Sequence, residues 1–360
     1  MTEQHNMAAP AHGASCDDTP LAAGTIAGAF DAAIAEAARF MGATAPNPPV
    51  GCALLDRQGQ ILAIAAHHQA GQAHAEQNAL DLARSSGTFE KIHTAIVTLE
   101  PCNHFGQTPP CAKALLASPV KHVWIGAEDP NALARGGAKA LRAAPNGINV
   151  RFAREEPAFA AQAARAIALS APFSKVQREG KCFITVKQAL DHVGSMRPPP
   201  GQKTFTSPSS LTLAHYVRRA TDAIITGAGT ILSDKPLFTV RHVPDHPMRR
   251  RILAICDRRG VIGPEIRDFY EQHGFETWVS HDLTELPAQL AKAGALWALI
   301  EGGPRLTTAC ESLNLWDEWL TIRTAPGRED EVHLRAPDAS PTALLPPLFA
   351  PSTVAPASAP

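Results

Sequence analysis

Apolar Ile26, Phe30, Ile34, Ala37 and Met41 recur at helical spacing and Gly42 follows as a stop, which predicts a first helix over 26–41. Two apolar runs, Val50–Leu55 and Ile61–Ala65, flank the short glycine-containing loop Asp56-Arg-Gln-Gly59 and predict a hairpin. His74–Ala83 then reads as helix, Thr94–Leu99 as strand, Pro110–Leu116 as helix, Val120–Gly126 as strand and Ile148–Phe152 as a last strand. Strands alternating with helices predict a sheet with parallel pairs, covered by helices. Ala158–Ser170 is an alanine-rich helix, and Ala171-Pro172 after it marks a domain boundary. A second α/β series follows, with strands at Cys182–Lys187, Asp222–Thr226, Arg251–Cys256, Thr277–Ser280 and Leu296–Ile300. Its helices fall at Leu211–Arg219, Leu286–Ala293 and Arg305–Leu313.

The ends lack such patterns. Residues 1–24 are small and polar and read as a disordered extension, and residues 336–360, rich in proline and alanine, read as a disordered tail. Two α/β domains, 25–170 and 171–335, remain, as expected for 360 residues. No run approaches the ~18 apolar residues of a membrane helix. A formal net charge of −1 carries no footprint of a nucleic-acid binder. Met1–Gly13 has no basic region followed by an apolar core, so no secretory signal is expected and the protein is read as cytoplasmic. Seven scattered cysteines suit reduced thiols, some of them metal ligands. These bounds favour a small-molecule substrate, with no nucleic-acid or membrane partner, and leave a homo-oligomer open.

The strongest chemical signal is His74-Ala-Glu76 at a helix start, followed by Pro101-Cys102 after a strand and Cys111 near the next helix start. One imidazole and two thiolates make three ligands and leave the fourth tetrahedral position to water, the layout of a catalytic zinc. Glu76, two residues from His74, is placed to reach that water and is the candidate proton shuttle. A purely structural zinc would leave Glu76 and the open position unexplained. Zinc deaminases carry H-x-E with P-C-x-x-C. Here eight residues separate the cysteines, which departs from the nucleoside and nucleic-acid enzymes. Glu100 is expected to brace its loop, His68 and His104 to be loop residues, and Cys52, Cys182, Cys256 and Cys310 to be core.

The second half lacks the G-x-G-x-x-G dinucleotide fingerprint. Two glycine turns at strand ends, Gly227-Ala-Gly229-Thr230 and Glu301-Gly302-Gly303-Pro304, are candidate phosphate cradles, because glycine lets backbone N–H groups approach an anion. Ordinary strand-end turns would explain either as well. Arg249-Arg-Arg251 with Arg258-Arg259 reads either as a site for a cofactor phosphate or as a solvated basic run.

The chain resembles the bifunctional riboflavin-biosynthesis deaminase/reductase family through Pro46-Asn-Pro-Pro-Val-Gly51, His74-Ala-Glu76, Leu99-Glu-Pro-Cys102, His104, Gly106, Thr108-Pro-Pro-Cys111 and Asp129-Pro-Asn131. The resemblance covers roughly residues 25–155 with high specificity and 178–325 with less. It implies a cytidine-deaminase-like three-layer α/β domain followed by a dihydrofolate-reductase-like α/β domain. The implied activity is zinc-dependent deamination of a phosphoribosylated diaminopyrimidinone, then NADPH-dependent reduction of the ribosyl to the ribityl side chain. It implies His74, Cys102 and Cys111 on Zn2+, Glu76 as catalytic residue, and Asn47 and His67 on the substrate. In the second half it implies Thr230, Asp234, Gly302 and Gly303 on NADPH, with Arg218, Arg241 and Glu301 on the ribose phosphate.

The chain departs from the family pattern at several positions. Gln107 stands where the family has Arg or Lys, Asp191-His-Val-Gly194 replaces Ser-x-Asp-Gly, and Gln202 and Thr204 replace Ser and Trp. Past Pro326 the chain turns charged and then proline-rich where the family supplies closing strands. Two readings fit these departures: a diverged but working reductase, or a deaminase carrying a reductase-like scaffold.

Overall fold

A computed structural model of the chain describes residues 21–104, 109–145, 147–199, 201–202, 204–247, 249–324, 328–336, 339–346 and 348. Helix α1 (Ala23–Ala38) is followed by strands β1 (Gly51–Leu55) and β2 (Ile61–Ala66), then α2 (Ala75–Ser85), β3 (Thr94–Leu99) and α3 (Cys111–Leu116). Next come β4 (His122–Ala127), α4 (Gly137–Ala143), β5 (Asn149–Phe152) and α5 (Ala160–Glu179). The strands form one sheet, β2-β1-β3-β4-β5, with β1 antiparallel to both neighbours and β3, β4 and β5 parallel. Because strand side chains alternate between faces, Cys52 and Leu54 join Ala79, Leu80, Leu115 and Leu141 from α2, α3 and α4. Ala53 and Leu55 join Ile26, Phe30 and Ala163 from α1 and α5 on the other face. This is the expected three-layer arrangement.

Two of the boundaries that differ from the expectation lie where the halves meet. Helix α1 stops at Ala38 rather than Met41, and Arg39–Gly42 continues as tight turns. Gly42 adopts φ +82°, and a Cβ there would stand 2.3 Å from the Arg219 carbonyl oxygen, so this stop is also a contact between the two halves. The break expected at Ala171-Pro172 falls inside α5, which runs on to a left-handed Gly180. Proline removes one helical N–H and crowds the preceding turn. Buried Ala168, Leu169, Pro172 and Phe173 hold the helix together regardless, since packing outweighs local propensity.

The second half contains β6 (Phe183–Leu190), α6 (Pro208–Ala220), β7 (Ala223–Gly227), α7 (Ala228–Asp234), β8 (Arg251–Cys256) and α8 (Pro264–Gln272). It continues with β9 (Phe275–Ser280), α9 (Leu286–Lys292), β10 (Trp297–Glu301), α10 (Pro304–Ser312), β11 (Glu318–Arg323) and β12 (Glu331–Arg335). Its sheet has the order β12-β11-β6-β10-β7-β8-β9, parallel except for β12. Strand β10 is inserted between β6 and β7. The carboxyl ends of these three strands therefore lie side by side at a reversal of strand order, where open α/β sheets bind ligands.

Past Pro326 a closing strand, β12, is present, contrary to the sequence reading. Glu331-Val-His-Leu-Arg335 alternates as an edge strand with half-buried Val332 and Leu334, so its charge is confined to its exposed positions. The disordered-tail expectation also fails where the chain is described. Leu344 and Leu345 are buried beside Met41, Leu99, Leu169, Phe183, Val217 and Leu299, in an apolar cluster shared by both halves. Residues 1–20 and 349–360 lie outside the described residues, and Ala23 and Gly24 already belong to α1. Among the described residues, no helix is long and apolar enough to cross a membrane.

Candidate active sites

The loop after β2 delivers His74 as the residue capping α2, with Glu76 in its first turn, while Cys102 follows β3 and Cys111 opens α3. The three ligand atoms lie within 4.8 Å of one another. His74 Nδ1 is 3.2 Å from Cys111 Sγ and 3.6 Å from Cys102 Sγ. A tetrahedral zinc with ordinary N and S bond lengths requires about 3.6 Å between such atoms. The donors fit zinc chemically as well. Without metal the two thiols share a proton: the hydrogen bond from the Cys111 thiol, with those from His74 and the Cys111 backbone N–H, holds Cys102 far below the ordinary thiol value, while the same Cys102 contact and burial push Cys111 up. A thiolate is the form that binds metal.

Glu76 is buried against this triangle, and burial, with the neighbouring Cys102, raises its pKa. Asn47 and His67 come to the same place. His67 Nδ1 donates to the Ala73 carbonyl at 3.0 Å, which leaves Nε2 to accept from Asn47 Nδ2 at 3.2 Å. The His67 ring lies edge-on to His74, with centroids 5.2 Å apart. Burial lowers the His67 pKa, in keeping with this neutral tautomer. The Pro46–Gly51 segment is seated by Gly51, whose N–H donates to Thr98 Oγ1 and whose missing Cβ leaves room for the Ala33 carbonyl.

Glu100 braces the adjoining loop, as expected: its Oε1 accepts the N–H groups of Gly136 and Ala138 at 3.0 and 3.1 Å, satisfying the start of α4. His68 stacks on Phe40 and His104 is exposed. Gln107 lies outside the described residues. Cys52, Cys182 and Cys310 are buried and Cys256 half-buried, while Cys16 is not among the described residues.

In the second half, the carboxyl ends of β6, β10 and β7 bring together Lys187, Glu301 and the two glycine turns. Arg218 forks onto Glu301, with Nε to Oε2 at 2.7 Å and Nη2 to Oε1 at 3.2 Å, and Lys187 Nζ reaches Oε1 at 2.9 Å. Burial opposes the Glu301 charge, but Arg218 and Lys187 overcome it and hold the carboxyl at about 2. Gly303 N–H donates to Thr230 Oγ1 at 3.2 Å, which ties the turn after β10 to the one after β7. Arg241 Nη1 and Arg218 Nη1 both approach the Thr239 carbonyl, so the two guanidinium groups converge. Asp234 is exposed at the end of α7 with no side-chain partner among the described residues.

Lys187 is the member of this charged cluster that the sequence reading does not single out. A lysine interrupting the apolar run of β6, level with Glu301 on β10, was the available signal. Arg258 and Arg259 are exposed, as in the solvated reading, whereas residues 249–251 depart from both expectations. Arg249 pairs with buried Asp222; Arg251 pairs with Asp245 at 2.7 Å and caps the Arg218, Arg219 and Thr221 carbonyls. Arg250 donates to the Phe275 carbonyl. Of the departures, Asp191 closes a tight turn by accepting the N–H groups of Val193 and Ser195, while Gln202 and Thr204 are exposed before α6.

Comparisons with known proteins agree with both halves. Residues 26–127 match the cytidine and deoxycytidylate deaminase zinc-binding region, and residues 182–326 match the RibD C-terminal domain. Riboflavin biosynthesis protein RibD of Aquifex aeolicus (strain VF5) is 37% identical over 299 residues, 77% of this chain and 80% of that protein. The Escherichia coli (strain K12) protein of the same name is 31% identical over 331 residues, 81% and 85% of the two chains. A deaminase/5-amino-6-(5-phosphoribosylamino)uracil reductase from Thermotoga maritima superposes with TM-score 0.72 at 28% identity, covering 85% of this chain and 89% of that one. Acinetobacter baumannii RibD superposes with TM-score 0.69 at 28% identity, covering 86% and 90%.

Proposed function

Since the chain belongs to the RibD family of riboflavin biosynthesis proteins, bifunctional deaminases and reductases, we propose how its residues divide the two reactions. The deaminase lies within 25–170 and the reductase within 171–335, with α5 running across the join. The substrate is 2,5-diamino-6-(5-phosphoribosylamino)pyrimidin-4(3H)-one, and both steps take place in the cytoplasm.

The observation that carries the reading is the triangle of His74 Nδ1, Cys102 Sγ and Cys111 Sγ with Glu76 buried beside it. His74, Cys102 and Cys111 hold the zinc, which supplies a water activated as a nucleophile at neutral pH. Asn47 and His67 hold the pyrimidine. Glu76 takes a proton from the attacking water and delivers it to the departing amine, so ammonia leaves and a carbonyl remains. Burial that raises the carboxyl pKa suits a group that carries this proton between two sites.

Arg218 and Arg241 receive the phosphate of the deaminated product, and Glu301 orients the ribose hydroxyls through its remaining lone pairs. Lys187, Arg218 and Arg241 against the single carboxylate Glu301 leave a surplus of positive charge suited to a phosphate dianion. Thr230, Asp234 and the Gly302–Gly303 turn would hold NADPH, which would supply a hydride for the sugar carbonyl. Nothing in the fold or the comparisons favours the scaffold-only reading, and β12, one of the features it took to be missing, pairs with β11.

The test follows ammonia release and NADPH oxidation separately on zinc-loaded protein given the diaminopyrimidinone ribosyl phosphate. Ammonia followed by stoichiometric NADPH loss is the expected result. Ammonia without NADPH loss, including when the deaminated product is supplied directly, would remove the reductase assignment.

A further inference from the structure

We propose that His215 is a positioning residue for the reduction: its ring holds the main chain at Arg241, so that the Arg241 guanidinium is presented to the substrate phosphate. The proposal rests on the reading of Arg241 as a phosphate ligand. Helix α6 places His215 and Arg218 three residues apart and so on one face. His215 is buried, and its Nδ1 accepts the Arg241 backbone N–H at 3.0 Å. An accepting Nδ1 fixes the tautomer with the proton on Nε2. Burial, reinforced by Arg218, His242 and Arg241, pushes the pKa down to about 3, so the ring remains an acceptor at neutral pH.

The segment gripped in this way is strained. Lys235 and Phe238 adopt φ of +43° and +56°, left-handed values that side chains with a Cβ seldom take. Strained backbone persists only where its surroundings over-determine it. Here Phe238 is buried beside Tyr270, the Tyr270 hydroxyl donates to the Pro236 carbonyl at 2.8 Å, and Arg218 Nη1 reaches the Thr239 carbonyl at 3.5 Å. His215 closes this series at Arg241. The Arg241 side chain is exposed, and Nη1 donates to Thr239 Oγ1 at 2.9 Å and to the Thr239 carbonyl at 3.4 Å, both within two residues of its own main chain. Its aim thus depends on where the main chain delivers it. A guanidinium held ready loses less conformational freedom when it binds phosphate.

Reduction of 5-amino-6-(5-phosphoribosylamino)uracil by the full-length protein tests the proposal, with deamination and the KM for NADPH measured on the same preparations. His215→Leu removes the acceptor, whereas His215→Asn places Oδ1 where Nδ1 stands. The expected result is a KM for the phosphorylated substrate raised about tenfold in His215→Leu and restored to near wild type in His215→Asn. The kcat, the KM for NADPH and deamination stay within about twofold. Arg241→Ala raises the same KM, and adding His215→Leu to it raises KM no further. If Arg241→Ala raises KM while His215→Leu does not, or if Leu and Asn at 215 behave alike, the positioning role is wrong and the phosphate reading stands. If Arg241→Ala leaves KM unchanged, both fall. A loss confined to kcat, or a shift in the KM for NADPH, would assign His215 a different role.

Discussion

Gly137 packs so closely on Pro101 that a Cβ added to it would lie 1.8 Å from the Pro101 carbonyl oxygen. The residue after Pro101 is the zinc ligand Cys102, so the start of α4 sets where that thiolate stands. Gly137→Ala is therefore expected to push the Pro101–Cys102 segment outward, at a cost of ~1–3 kcal/mol. Zinc retained against a chelator, and ammonia release with it, should fall while reduction of the deaminated substrate continues. An alanine variant with full zinc and normal deamination would show that the segment yields freely.

Glu76→Gln separates metal binding from proton transfer. The variant should bind zinc stoichiometrically and lose deamination by ~10²–10⁴-fold, the usual worth of a positioned acid–base group. Cys102→Ser and Cys111→Ser should instead lose zinc, as should chelation of the wild type, with NADPH oxidation on the deaminated substrate preserved. Normal turnover in zinc-replete Glu76→Gln would end the shuttle assignment, and stoichiometric zinc in both serine variants would mean the ligands are elsewhere.

The deaminase site was legible because its chemistry is local. His74 and Glu76 share a helix start, Cys102 and Cys111 follow the next strand, and Asn47 lies in the proline-rich segment before the hairpin. The second half was less legible because its site is assembled from distant strands. Lys187 meets Glu301 only because β10 slots between β6 and β7. The run from Arg249 to Arg251 looked solvated in one dimension but closes ion pairs with Asp222 and Asp245 in three. Pro172 and the charged β12 broke local rules for reasons that only packing supplies: a buried helix around the one, an edge position for the other.

Replacing Lys187 with methionine tests the other half of the Glu301 cluster. The buried carboxylate would keep Arg218 and lose its second cation, and leaving such a group short of a partner costs ~1–3 kcal/mol. Reductase kcat/KM should fall on the order of tenfold or more, with deamination unchanged. Wild-type reduction in Lys187→Met would exclude the lysine from the site.

Acid stability should carry the signature of His246, whose Nε2 donates to the Met41 carbonyl at 2.9 Å and so links the two halves. Burial, then the nearby Arg219, hold its pKa at about 4 against an ordinary 6.5. Between those values the unfolded chain binds a proton that the folded chain does not, so stability present above pH 6.5 is lost as the pH falls toward 4. In His246→Gln the fall in Tm across this window should be shallower than in wild type, as followed by circular dichroism at half-unit steps. Identical slopes would show that His246 is not shielded as its burial indicates.

The C-terminal segment is expected to act as a seal over the junction of the two halves. Leu344 and Leu345 enter the apolar cluster that includes Met41 and Leu169 from one half and Val217 and Leu299 from the other. Ser340 and Thr342 donate to the buried Glu318, whose third partner is Thr185 on β6, and burial raises the Glu318 pKa. Leu344→Ala should thus cost ~2–5 kcal/mol, as for other large-to-small changes in a packed core. A chain ended after Arg335 should lose more, since Glu318 would be left buried with two hydroxyl donors fewer. The measurement is thermal unfolding of each half, read as loss of deamination and of reduction after heating. Because the seal touches both halves, both activities should fail at lower temperature. Unchanged inactivation in the truncated chain would mean that these residues rest on the surface without holding the domains together.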